Sequence, residues 1–275
     1  MYKRLLSFLI VLSMAVFAVG QAGNADEFYQ KGIQLKKSAK YTEASEAFKK
    51  ALEQKPDFTA ALYELGWCYN ELNQFEKALP VLQQALKLQP DDYRIIYECG
   101  FAKAHSGLHN EALADYNKTI ELNPGFSAVY AARGDFYKDV KENTQLALTD
   151  YLKALELDTT SMKVYYWVGW CYNDLGKFEQ AIPFLKKAMI FEKQNHLSYT
   201  EAGFSYFSLN KYAEAVQYLQ KADELRPKFE ITLYYLGMCF VKQGKKPDAV
   251  KKYNELILLG SEYAISLLNE IKNMK

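Results

Sequence analysis

Histidine is scarce in this chain, with three in 275 residues, and cysteine is little more frequent, with four. Two of the histidines, His105 and His109, stand four apart, but Gly107 lies between them and is expected to break any shared helix face. No cysteine or acid completes a metal-ligand spacing around them. Glycines fall singly along the chain, so no glycine-rich loop is formed to cradle a phosphate. No serine, cysteine or lysine nucleophile stands beside a plausible base. The expectation is therefore no metal, no cofactor and no enzymatic activity. Charge of one sign is also lacking. The 34 basic and 33 acidic residues are interspersed and leave a net charge of +1. A nucleic-acid partner, which calls for a basic stripe, is not expected.

Long apolar runs are missing with one exception. Leu5 to Val19 is largely apolar, preceded by Lys3 and Arg4 and followed by the small residues Ala18, Gly20 and Ala22. This is the three-part pattern of a secretory signal peptide, with cleavage after Gly20 or Ala22. The other reading is an uncleaved anchor, but the run is short against the roughly 20 residues of a membrane span. Contact with a membrane is expected only through this segment if it is retained. The mature chain would be exported, periplasmic or secreted, with a net charge near −1. Export brings an oxidising compartment. Cys68, Cys171 and Cys239 each follow a regularly spaced glycine by two residues and lie in different repeats, too far apart to bridge. Buried free thiols are expected, with Cys68 and Cys99 the one pair close enough in sequence to raise a question.

What is present is a rhythm. Glycines stand at Gly32, Gly66, Gly100, Gly134, Gly169, Gly203 and Gly237, in steps of 34, 34, 34, 35, 34 and 34. Alanines keep time with them at Ala44, Ala78, Ala112, Ala147, Ala181, Ala215 and Ala249. Two ladders in register over seven rungs mark a repeat array, whose units stack locally and share no single central core. Within a unit, Leu62, Leu65, Tyr69 and Leu72 recur at helical spacing. A turn comes next, then a second helix carrying Phe75, Ala78, Leu82, Ala85 and Leu86. Pro56, Pro90, Pro124 and Pro227 close second helices, because proline cannot continue one. Gly66 is expected to let the paired helix approach, with Ala78 as its counterpart. Pro80 and Pro183 are read as lying early enough in their helices to cost little, and Lys103 as packing its stem while its amine reaches water.

The pattern L-x-x-L-G-x-x-Y, then A-x-x-x-L, then P, here Leu62, Leu65, Gly66, Tyr69, Ala78, Leu82 and Pro90, resembles the tetratricopeptide repeat. The resemblance implies an all-α fold, a right-handed superhelical solenoid of antiparallel helix pairs. The organisation read from it is a signal peptide at 1–22 and seven repeats over 23–260. The repeats run 25–58, 59–92, 93–126, 127–161, 162–195, 196–229 and 230–260. An amphipathic capping helix closes the chain at 261–275, with Asn269, Lys272 and Lys275 on its polar face. The fourth repeat has one extra residue within Lys141 to Leu146, placed in its turn, and a local irregularity is expected there.

The resemblance also implies that the first helix of each pair lines a concave binding face. Residues three before and one after each glycine share a stripe there. They are Tyr29 with Ile33, Tyr63 with Trp67, Tyr97 with Phe101, Ala131 with Asp135, Tyr166 with Trp170, Thr200 with Phe204, and Tyr234 with Met238. These rings either line a ligand groove or pack between neighbouring first helices. One turn on, Asn70 and Asn173 could hydrogen-bond an extended peptide, or could simply be solvated. Gly66-Trp67-Cys68-Tyr69-Asn70 recurs at Gly169 to Asn173, and Glu98-Cys99-Gly100-Phe101 is echoed at Glu201 to Phe204. A duplicated three-repeat block with two similar pockets, or drift from one ancestral repeat, explains this. The clamp that some family members use for a C-terminal carboxylate is not supported, since Tyr29 and Ile33 stand where its first lysine and asparagine belong. The function expected is an interaction scaffold for other proteins or peptide segments, with Tyr63, Trp67, Tyr97, Phe101, Tyr166 and Trp170 as anchors. A glycan or cell-wall module using the same rings is the alternative.

Overall fold

The computed structural model describes residues 24–274. The expected export segment, residues 1–22, and Lys275 lie outside them. Among the described residues the chain is helical throughout. A first helix, α1, covers 24–37. It is followed by α2 (Tyr41–Gln54), α3 (Thr59–Glu71), α4 (Phe75–Leu88), α5 (Tyr93–His105), α6 (His109–Leu122), α7 (Ser127–Asp139) and α8 (Thr144–Leu157). Then come α9 (Met162–Asp174), α10 (Phe178–Phe191), α11 (His196–Ser208), α12 (Tyr212–Leu225), α13 (Glu230–Lys242), α14 (Lys246–Leu258) and α15 (Tyr263–Lys272). Odd-numbered helices up to α13 are the first members of hairpins, and even-numbered ones the second.

The hairpin turns explain where the first helices stop. Each of the seven has one residue in the left-handed region: Ala39, Asn73, Gly107, Glu142, Gly176, Asn210 and Gly244, with φ between 48° and 80°. Only glycine takes that conformation freely, and asparagine tolerates it. The backbone N–H just after it donates to a carbonyl in the last turn of the helix, as Gln74 does to Tyr69 (2.8 Å) and Lys177 to Tyr172 (2.8 Å). This satisfies a carbonyl the helix leaves open. In the fourth hairpin the donor is Asn143 and the acceptor Tyr137, one residue further back, so the extra residue is absorbed in the turn. Second helices end two residues before Pro56, Pro90, Pro124 and Pro227. Pro80 and Pro183 correct the reading above. Each is the sixth residue of its helix, beyond the four N–H groups that a helix start leaves free, so each removes an interior hydrogen bond, on an exposed face.

The ladder glycines make close approach possible, but the side chain that crowds each most closely is not the ladder alanine. A Cβ on Gly66 would lie 2.4 Å from Leu82, one on Gly169 2.5 Å from Leu185, and one on Gly134 2.8 Å from Tyr151. The large side chain sixteen or seventeen residues on fills the place where the glycine has none. Gly237 differs: its neighbour is Leu267 of α15, at 2.4 Å. The ladder alanines are themselves fully buried.

The fold divides into two compact units at Val129 and Tyr130. In the first, the core gathers Phe48, Leu62, Leu65, Cys68, Leu82, Ile95 and Cys99, with Tyr29, Tyr63 and Trp67 packed on its edge. In the second, Leu185 and Met189, then Leu219, Leu236 and Cys239, then Leu256, Leu267 and Ile271 form successive small clusters. Each second helix packs on its own partner, and across most of each unit also on the following first helix. Burying a leucine of this kind contributes about 2 kcal/mol.

Within hairpins, residues twelve apart meet across the two helices. Lys103 reaches Asp115 at 2.5 Å, Tyr172 meets Phe184 with ring centroids 5.6 Å apart, and Tyr206 stacks on Tyr218 at 5.1 Å. The Lys103 amine is thus held by a half-buried acid. In α7 and α8, Arg133 holds Asp150 through two bonds of 2.7 and 2.8 Å. The last helix buries Ala264, Leu267 and Ile271, while Asn269 and Lys272 face out beside Ile265, which is 69% exposed.

Candidate functional site

The aromatic stripe lies on the first helices of both units. Tyr29, Tyr63, Trp67, Tyr97, Phe101, Tyr166, Trp170, Phe204 and Tyr234 are all half-buried. The ring just after each glycine leans on the second helix before it. Trp67 meets Tyr41, the first residue of α2, edge-on at 5.3 Å. Phe101 meets Phe75, the first residue of α4, at 6.2 Å, and both lie against His105. Phe204 meets Phe178, the first residue of α10, at 5.6 Å. Trp170 departs from this scheme. The helix before it begins with Thr144, and its ring partner among the described residues is Trp167, edge-on at 6.0 Å.

The tyrosines one turn earlier lean the other way, most of them toward the next repeat. Tyr29 meets Phe58 at 4.9 Å and Tyr97 meets Phe126 at 5.1 Å. Tyr63 lies 5.5 Å from the Arg94 guanidinium, which Asp92 grips through bonds of 3.0 and 2.6 Å. Tyr234 meets Tyr263 at 5.1 Å, and Tyr166 meets Trp167 at 4.9 Å. Burial pushes the Tyr63 and Tyr166 phenols above their ordinary range, helped by the nearby Glu98 and Glu201 carboxyls. These rings therefore stay neutral. Each one has a packing partner inside the protein and keeps part of its surface outside.

A cation completes the Trp67 arrangement. Lys36 of α1 places Nζ 3.7 Å from the ring centroid, and the same ammonium pairs with Glu64 at 2.6 Å. In the second unit Lys138 of α7 occupies the corresponding helix position. Its Nζ lies 4.0 Å over Trp167 instead, paired with Asp139.

The structure places Asn70 and Asn173 elsewhere than the peptide-reading role expected of them. They are 2% and 5% exposed. Asn70 Nδ2 donates to the Glu98 carbonyl (3.0 Å) and carboxyl (2.7 Å), and Asn173 Nδ2 does the same to Glu201 (3.0 and 2.8 Å). The two amides tie one first helix to the next and have no donor left for a ligand. In the second copy Ser205 Oγ donates to Asn173 Oδ1 at 2.6 Å. Ala102 stands at that place in the first copy, and Asn70 Oδ1 is buried without a partner. Burial lifts the Glu98 carboxyl to about 7, against the opposing hydrogen bond from Asn70, and Glu201 is raised for the same reason. Asp135 is also engaged internally. It accepts from the buried Tyr151 hydroxyl at 2.6 Å and lies 3.8 Å from Lys163.

Glu98, Glu201, Lys36 and Arg94 shape this face and were missed among the expected site residues. For the two glutamates a signal existed: each stands 28 residues after its asparagine in both copies of one motif. All four cysteines are free and buried, and burial pushes each thiol up to about 12. None is a ready nucleophile. Among the described residues no cluster of three metal-binding side chains occurs, and no helix is long and apolar enough to cross a membrane.

This geometry has counterparts among known proteins. Tetratricopeptide-repeat family models match residues 35–97, 71–125 and 200–263. A model described as anaphase-promoting complex, cyclosome, subunit 3 matches 141–222. A human protein named tetratricopeptide repeat protein 6 is 25% identical over 161 residues, 58% of this chain and 31% of its own length. The chain thus spans about a third of that relative. Among solved structures, PilF of Pseudomonas aeruginosa superposes with a TM-score of 0.65 at 18% identity, covering 77% of this chain and 97% of that one. YrrB, described as a TPR protein with an unusual peptide-binding site, gives 0.58 at 20% identity, covering 69% and 97%. At these identities the structural likeness is one of fold.

Proposed function

The chain belongs to the tetratricopeptide-repeat family, and on that premise we propose that it is an exported, non-catalytic scaffold whose first-helix faces hold a peptide or helix of a partner protein. The observation that carries this is the stripe of half-exposed rings on α3 and α5 in one unit and on α9 and α11 in the other. Each ring is already fixed by an internal partner, so little side-chain freedom is lost when a ligand covers its open part. Aromatic anchors of this sort dominate interface energies, at about 2 kcal/mol or more each. The peptide-binding site in the description of YrrB lends support through a shared fold. A glycan partner would need open ring faces, and the Lys36 ammonium closes one face of Trp67, which favours the protein reading.

Export rests on Lys3, Arg4 and the run from Leu5 to Val19. The mass of the N-terminal peptide from protein recovered in the cell envelope tests it; an intact Met1 on soluble cytoplasmic protein would overturn it. For binding, a photo-crosslinking residue at Tyr166 should yield adducts with a defined partner in the native envelope, and one at the exposed Glu179 should not. Trp67→Ala combined with Trp170→Ala should lose those adducts while the helical circular dichroism signal is kept. Equal adducts from both positions, or from the double variant, would reject the groove.

A further inference from the structure

The two copies of the Gly-Trp-Cys-Tyr-Asn motif differ in what covers the tryptophan. In the first, the indole face carries the chain's own Lys36, with Nζ 3.7 Å from the ring centre, and Glu64 one turn before the tryptophan neutralises that ammonium at 2.6 Å. Tyr41 closes the edge. In the second copy the lysine keeps its helix position, but its surroundings are changed. Trp167 replaces the acid, and Lys138 is drawn over Trp167 instead. Thr144 replaces the tyrosine at the edge and donates its hydroxyl to Asp174 at 2.6 Å. Among the described residues no cation lies over Trp170. Asp174, one helical turn beyond Trp170 and so on the same face, is exposed and has no basic partner among them.

We propose that the face of Trp170 is a slot for a lysine or arginine side chain of the bound segment, with the indole as platform and Asp174 as counter-charge. The first copy supplies the precedent, for there the chain lays its own ammonium over the indole and pairs it with a carboxylate one turn before the ring; in the second copy the acid stands one turn beyond the ring. An indole is the strongest aromatic partner for a cation, and a carboxylate beside it adds charge complementarity that a neutral side chain would not use. The inference rests on the reading that the first-helix face is the ligand face, and it narrows the partner to a segment bearing a basic residue.

The test uses the three tryptophans of the chain, whose indole N–H signals in a nitrogen-correlated spectrum are assigned by Trp→Phe substitution. The probe is N-acetyl-arginine amide, with the neutral N-acetyl-citrulline amide as isostere. The arginine probe should shift the Trp170 signal saturably and leave Trp67 in place, and the citrulline probe should do neither. Asp174→Asn should weaken the response about fivefold. Lys36→Met should open the first copy, so that Trp67 now responds to the arginine probe. Equal shifts from citrulline, equal response of Trp67 in the unaltered protein, or no shift at Trp170 would each overturn the slot. Crosslinks at position 166 without any arginine response would sink the slot alone. An arginine response without those crosslinks would sink the scaffold reading alone.

Discussion

Ala102 and Ser205 occupy the same place in two copies of one motif, and the difference is a single hydroxyl. Ser205 completes the hydrogen-bonding of Asn173, while Asn70 Oδ1 is left bare. A buried acceptor without a donor costs on the order of 1–3 kcal/mol. Ala102→Ser should therefore raise the urea midpoint, by about 1 kcal/mol of stability, and Ser205→Ala should lower it by a similar amount. A serine that destabilises at 102 would mean that Asn70 is satisfied in another way. Glu98 offers a second residue-scale test. Its folded carboxyl titrates near 7 because of burial, against about 4.3 in an unfolded chain. Between those values the folded state holds a proton that the unfolded state has released, so stability falls as pH rises through that window. Glu98→Gln keeps an acceptor for Asn70 Nδ2 and removes the titration. The variant should show a flatter stability profile from pH 5 to pH 8 than the parent, read by thermal unfolding at each pH.

At the scale of one element, the hairpin turn asks for the same left-handed residue seven times and is given glycine only three times. Ala39 takes the conformation at φ 55° and Glu142 at φ 48°. A side chain there costs roughly 1–2 kcal/mol against glycine in the helix-like left-handed region. Part of that is returned by the greater freedom of glycine in the unfolded chain. Ala39→Gly should stabilise the protein by about 0.5–1 kcal/mol, measured by chemical unfolding. A loss of stability would mean that the turn has other reasons for alanine. The helices themselves were plain in the sequence, because Leu62, Leu65 and Tyr69 recur at helical spacing and a glycine or asparagine comes after them. What could not be read was the object facing each glycine. The alanine ladder suggested Ala78 against Gly66, whereas Leu82 fills the gap. Sequence periodicity marks which residues are small and buried; it does not say which large side chain turns inward over them.

On the scale of the whole molecule, each stack is held together by neighbours, and damage should stay near its source. A Cβ at Gly169 would lie 2.5 Å from Leu185 and 3.4 Å from the Ala181 carbonyl. Gly169→Ala should cost about 1–3 kcal/mol by overpacking. Amide hydrogen exchange should quicken most in α9 and α10 and least in α1 and α2. Uniform acceleration along the chain would instead mean one cooperative block. The same local logic explains what the sequence revealed about the candidate site. The stripe of Tyr63, Trp67, Tyr166 and Trp170 was legible because helical spacing alone sets it. The engagement of Asn70 by Glu98, 28 residues away, depends on how one hairpin lies on the next, which no single helix face records. The bond between Asp135 and Tyr151 was hidden for a related reason, since Tyr151 belongs to the helix across the turn.

The twelve-residue pairs inside the hairpins bear on how such a chain can be rearranged. Lys103 belongs with Asp115, Tyr172 with Phe184 and Tyr206 with Tyr218. A genetic crossover between repeats that falls in the loop after a second helix transfers every couple whole. One that falls in the hairpin bend would marry Lys103 to Phe184, or Tyr206 to Asp115, and strand a charge without its counter-ion. The heritable cassette is thus the intact helix couple, and recombinants joined at the bend are the ones selection should discard.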